Sequence, residues 1–139
     1  MADGPKVIGS AVIPCLRYRD APKAIEWLCT TFGFEPHAVH RGSDGTIAHA
    51  ELRLGAGMIM LASATPNEFG RLMKQPEHVG APVTQSVYVV VPDVDRVYGQ
   101  AVRAGATIAM GITDEPHGRG FSCYDPEGHL WSFGTYDPW

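Results

Sequence analysis

Apolar positions along this chain follow two periods, and the pair of periods occurs twice. From Val7 to Arg19 an apolar run predicts a strand that ends at Asp20. The next apolar residues, Ala21, Ala24, Ile25, Leu28, Cys29 and Phe32, have the spacing of a helix that lays one stripe on a core. A second run, Thr84 to Val91, leads to Asp93 and then to Val94, Val97, Tyr98, Ala101, Val102 and Gly105, the same positions displaced by 73. Both aspartates stand where a helix needs an N-cap. Pro22 falls in the first turn, where its missing N–H is harmless, and Gly33 and Gly105 suit the helix stops. A repeated half-domain says how the molecule is built, so it constrains the fold more than any single motif.

Three strands follow each predicted helix. In the first half they are Phe34 to His40, Thr46 to Leu54 and Met58 to Ala62, with turns at Gly42-Ser43-Asp44-Gly45 and Gly55-Ala56-Gly57. In the second half, after a helix over Val94 to Ala104, they are Thr107 to Ile112, Gly120 to Tyr124 and Leu130 to Tyr136. Pro14 cannot donate to a ladder, which places the first strand at an edge or a seam. Ser63 to Val83 carries Pro66, Gly70, Pro76, Gly80 and Pro82 and one short helical turn near Phe69 to Lys74. Its length suits a bridge between halves better than a loop inside one. The expected class is α+β: a single domain over 1–139, with a βαβββ module at about 7–62, a bridge at about 63–83 and a second module at about 84–137.

Composition narrows the function. Hydrophobic residues make up 45% of the 139 and charged residues 19%, with a net charge of −4, an ordinary soluble balance. No basic cluster offers a footprint for nucleic acid, and no apolar stretch is long enough for a bilayer. The N-terminus lacks the basic-then-apolar pattern of a secretory signal. Cys15, Cys29 and Cys123 are odd in number and widely spaced, which fits reduced thiols in the cytoplasm.

The segment Tyr124-Asp125-Pro126-Glu127-Gly128-His129-Leu130-Trp131-Ser132-Phe133-Gly134 is the most specific local motif. With the duplicated strand-Asp-helix opening, it resembles the vicinal oxygen chelate superfamily, the glyoxalase, bleomycin resistance protein and dioxygenase group, in its small bacterial branch. The resemblance implies a U-shaped eight-stranded mixed sheet with helices on the outer face and a concave trough. It also implies a homodimer. Metal-using members of the group place one ligand on the first and last strands of each module. Carried over through the motifs, those positions are Ile13, Met60, Ser86 and Ser132. Two apolar side chains and two hydroxyls do not make a site for a divalent metal, which needs imidazole or carboxylate donors. The expectation is therefore no metal and no cofactor there.

Side chains alternate across a strand. Cys15 and Arg17 then share a face with Ile13, Met58 with Met60, Tyr88 and Val90 with Ser86, and Leu130, Gly134 and Tyr136 with Ser132. Val12, Leu16, Tyr18, Val87, Val89, Val91, Trp131 and Phe133 fall to the helix side. On the third strand His49, Glu51 and Arg53 lie opposite Ala50, Leu52 and Leu54. The candidate ligand-binding residues are Ile13, Cys15, Arg17, Met58, Met60, Ser86, Tyr88, Ser132 and, from the Pro116–Gly120 loop, His117. Plainer roles stand beside these. The two methionines fill a core, Arg17 pairs with Glu51 across strands, and the serines satisfy backbone. His37 and His40, an odd number of residues apart on one strand, are expected on opposite faces, and His49 with Glu51 makes only two ligands.

Two functions fit. One is a binding protein of the bleomycin-resistance kind, holding a small amphipathic or aromatic compound without metal. The other is a lyase or isomerase of the same superfamily with Glu51 and His49 as acid–base pair and Arg17 as anion anchor, with or without a non-standard metal site.

Overall fold

A computed structural model describes residues 9–80 and 82–139; Val7 and Ile8, where the first strand was expected to begin, lie outside them. The chain divides into two compact units, residues 1–65 and 66–139. In the first, β1 (Cys15–Tyr18), α1 (Ala21–Phe32), β2 (Glu35–Arg41), β3 (Ile47–Leu54) and β4 (Gly57–Ser63) form a four-stranded sheet of order β1-β4-β3-β2. In the second, a 3-10 turn (Phe69–Leu72) and the short α2 (Pro76–Val79) precede β5 (Ser86–Val90), α3 (Val94–Arg103), β6 (Thr107–Glu115), β7 (Gly118–Tyr124) and β8 (Leu130–Gly134), with sheet order β5-β8-β7-β6. Each opening strand lies at an edge and pairs in parallel with the last strand of its module; the other pairings are antiparallel. The α+β class and the duplicated βαβββ topology thus hold.

The caps form as the sequence suggests. Asp20 accepts from the Lys23 N–H at 3.2 Å, and Asp93 from the Arg96 N–H at 3.1 Å. Gly33 ends α1 at φ 85°, a left-handed conformation that a side chain would strain. α1 packs on the sheet of its own unit through Ala21, Ala24, Leu28 and Phe32, above Leu52, Ile59 and Leu61. α3 packs on β6, β7 and β8. Under it Tyr98 meets Phe121 edge-on at 5.2 Å, and Phe121 stacks on Phe133 at 5.4 Å.

β1 is shorter than the apolar run implied. The Pro14 carbonyl accepts from the Met60 N–H at 3.0 Å, yet the regular ladder starts only at Cys15. Val12, expected on the helix side, is 81% exposed. Proline removes the donor that would carry the ladder further back. At the other end of the chain, β6 and β7 run on through Glu115 and Gly118, so the segment expected as a loop is a tight hairpin with His117 at its tip.

The turn before β8 has a buried anchor. Asp125, 4% exposed, accepts the Glu127 and His129 N–H groups on one oxygen (3.0 and 3.1 Å) and the Trp131 indole N–H on the other (3.0 Å). Gly128, at φ 90°, closes the turn by donating to the Asp125 carbonyl at 2.9 Å. Among the described residues no helix is long and apolar enough to cross a membrane.

Two stability predictions follow from these contacts. Asp125→Asn turns an amide NH2 toward donors and lowers unfolding free energy by about 1–3 kcal/mol in urea titrations. Thr31, buried on α1, has a hydroxyl with no hydrogen-bond partner. Thr31→Val removes that penalty and raises stability by about 1 kcal/mol in the same assay.

Candidate functional site

Each helix covers one face of its sheet, and period-two alternation leaves the other face to a different set of side chains. On the sheet of the second unit one row crosses three strand pairings: Tyr88 opposite Ser132, Ser132 opposite Ser122, and Ser122 opposite Met110. The helix side of β8 is taken by Trp131 and Phe133, both buried. The open side carries Ser132, whose hydroxyl lies 2.7 Å from that of Ser122.

The row floors an open cavity of about 180 Å3, lined by residues of this unit that include Thr113, Glu115, His117 and Tyr136. The Tyr88 hydroxyl donates to the Tyr136 carbonyl at 2.8 Å, and the His117 ring meets Tyr136 edge-on at 5.4 Å. An aromatic wall therefore stands beside a hydroxyl pair. Desolvation raises the Tyr88 phenol above its ordinary pKa. Arg119 also borders the cavity, but its guanidinium is held by Asp95 on α3 (2.9 and 3.1 Å) and Asp114 on β6 (2.8 Å). Hydrogen bonds to the two carboxylates push its pKa higher still. The cavity thus offers hydroxyls, rings and a thioether, with the exposed carboxylate side chain of Glu115 at its border.

The first unit presents different chemistry. Met58 and Met60 are half-buried on one face of β4, while Ile59 and Leu61 fill the core on the other, as alternation requires. Cys15 pairs with Met60 across the edge and is exposed. Ile13 is half-buried just before β1. Arg17 is only 7% exposed, and its guanidinium donates to the Ser63 and Thr65 carbonyls at 3.0 and 2.9 Å. That side chain secures the chain leaving β4.

His49 and Glu51 do meet, with Nε2 to carboxylate oxygen at 2.9 Å. This hydrogen bond, followed by the surrounding imidazoles, holds Glu51 below the usual carboxylate range. The expected separation of His37 from His40 fails. Pro36 pairs with Leu52 and Ala38 with Glu51, so His37 is an extra residue in a bulge that resets the alternation. His37 Nε2 comes to 3.9 Å from the second Glu51 oxygen, and His40 stacks on His49 with centroids 6.0 Å apart. Two imidazoles therefore approach one carboxylate, and a third stacks on His49.

Of the four positions carried over from metal-using relatives, Met60 faces Cys15 across the β1–β4 ladder, Ser132 faces Tyr88, and Ser86 is exposed opposite Leu130. Ser132, Tyr88 and His117 border the second unit's cavity and Ser86 does not. Ser122 and Met110 were missed as candidates, because only the register of β6, β7 and β8 brings them beside Ser132. Among the described residues no group of three or more His, Cys, Asp or Glu side chains is placed so that it could hold a metal ion.

The family model of the glyoxalase/bleomycin resistance protein/dioxygenase superfamily matches residues 8–133. An uncharacterized protein of Mycobacterium bovis is 33% identical over 126 residues, 89% of this chain and 82% of that protein. The crystal structure of TioX from Micromonospora sp. ML1 superposes with TM-score 0.72 at 32% identity, covering 93% of this chain and 100% of that one. The fosfomycin resistance protein FosX from Mesorhizobium loti shares the fold, with TM-score 0.66 at 12% identity over 93% of each chain. With the duplicated topology and the Asp125 turn, these matches identify the chain as a member of the glyoxalase/bleomycin resistance protein/dioxygenase superfamily.

Proposed function

We propose that this protein binds a small amphipathic or aromatic compound on the open sheet face, with no metal at Ile13, Met60, Ser86 or Ser132. The observation that carries the reading is the Tyr88–Ser132–Ser122–Met110 row under the His117–Tyr136 wall. Rings give stacking area at low entropic cost, the thioether adapts to shape, and the paired hydroxyls give direction. A cavity of about 180 Å3 is below the range of about 300–1,000 Å3 usual for drug-sized ligands, so this face takes one ring or a comparable part of a compound. We further propose a homodimer, supported by the exposed Tyr88, Val90 and Met110 on the same sheet. A cytoplasmic location is proposed on the three free cysteines.

A second reading is favoured by one distance, the 2.9 Å between His49 and Glu51. An ionised Glu51 would orient His49 as a general base for lyase or isomerase chemistry. Arg17, buried and donating to Ser63 and Thr65, contributes little to that reading as an anion anchor.

A thermal-shift screen in EDTA with aromatic and amphipathic compounds separates the two. Binding raises the melting temperature with ligand concentration and without turnover. Stabilisation that EDTA abolishes, or release of a product, would overturn the proposal. Tyr88→Ala should weaken the best compound by about tenfold or more, near 1.4 kcal/mol. Gly134 lies directly beneath Tyr88, and a Cβ there would stand 2.5 Å from the phenol oxygen. Gly134→Ala therefore displaces the ring, with loss of affinity and about 1–3 kcal/mol of stability, measured by calorimetric titration and urea denaturation.

A further inference from the structure

We infer that the cavity of the second unit selects compounds whose ring carries a protonated amine, with Glu115 as the counter-charge. The inference rests on the reading of this face as a ligand site and adds to it the charge of the ligand.

Strand register sorts the charges of the β6–β7 hairpin. Thr113 lies opposite Gly120, Asp114 opposite Arg119 and Glu115 opposite Gly118. Directly opposed residues share a face, and faces alternate along a strand. Arg119 therefore takes the side of Phe121 and Cys123, both buried. There Asp95 on α3 accepts from its Nε and one terminal nitrogen at 3.1 and 2.9 Å, and Asp114 from the other terminal nitrogen at 2.8 Å. Thr113 and Glu115 take the open side with Ser122. Glu115 has a glycine opposite it, and among the described residues its carboxylate has no ion pair or hydrogen bond.

The balance of charge at the rim is therefore negative. One guanidinium between two carboxylates leaves this end of the hairpin acidic before Glu115 is counted. The negative charge of Asp137, one residue beyond Tyr136, is also felt at the Tyr88 phenol. A carboxylate or phosphate on a ligand would meet these groups unmatched, whereas an ammonium would be paired. The rest of the lining suits the ring. Gly118 and Gly120 border the cavity without side chains, which leaves room for a flat group beside Tyr88, Tyr136 and His117. The part-exposed Tyr88 and Tyr136 rings also attract a cation through their negative faces. An exposed ion pair is weak and screened by salt, and a cation–π contact at such a site adds a similar amount. Together they give about fivefold to tenfold at low salt.

The test is an amide NMR shift titration of the full chain at about pH 8 and low salt, where imidazole is neutral and an alkyl ammonium stays charged. Three probes share a ring and a chain length: phenethylamine, 2-phenylethanol and phenylacetate. Phenethylamine should bind about fivefold to tenfold more tightly than 2-phenylethanol, and phenylacetate most weakly, with shifts centred on Ser122, Ser132 and Tyr136. Sodium chloride at about 0.5 M should shrink the gap. Glu115→Gln should bring the amine close to the alcohol. Asp95→Asn with Asp114→Asn, which leaves the Arg119 charge unmatched, should narrow the same gap. Equal binding of the three probes at the cavity, tightest binding of phenylacetate, or an amine preference untouched by Glu115→Gln would overturn the inference and leave the ligand site standing. No shift with any probe would remove the site itself, and this inference with it.

Discussion

The buried carboxylate of Asp125 sets the geometry on which the second unit's site depends. It gathers two backbone N–H groups of its own turn and the Trp131 indole, and so fixes where β8 begins and which way it faces. β8 lies between β5 and β7. Once Trp131 and Phe133 point into the core beneath α3, Ser132 must point to the open side. Ser132 then aligns Tyr88 on one neighbouring strand and Ser122 on the other. A polar group taken so far from water is costly unless fully bonded; here three donors meet it.

Duplication gives two sheets with the same order and two open faces with different chemistry. The first gathers imidazoles around Glu51 beside two methionines, and the second sets rings and hydroxyls around a small cavity. The scaffold places these sets without dictating either, which is how one fold hosts unlike activities. Ile13, Met60, Ser86 and Ser132 are two apolar side chains and two hydroxyls, not the imidazoles and carboxylates that a divalent metal needs.

Much of this was legible in the sequence. Both long helices, their aspartate caps and the alternation of β3, β4, β5 and β8 follow from spacing alone, and the structure keeps them. Three departures have local causes. Pro14 shortened β1 and left Val12 exposed, although the run read as apolar throughout. The bulge at His37 broke the parity rule that had set His37 and His40 apart, and Pro36 beside it, which cannot donate to a ladder, is the local signal of that irregularity. Ser122 and Met110 join the site through strand register, which single-strand periodicity does not contain. Arg17 shared the expected face by alternation, but its long side chain reaches carbonyl groups at the strand end instead of standing out from the sheet.

A structure of the protein with the best-stabilising compound from an EDTA-treated preparation tests the central claim most directly. The compound should lie on the Tyr88–Ser132–Ser122–Met110 row against Tyr136, without a cation at Ile13, Met60, Ser86 or Ser132. A compound seated away from that row, or held through a metal at those four positions, would contradict it.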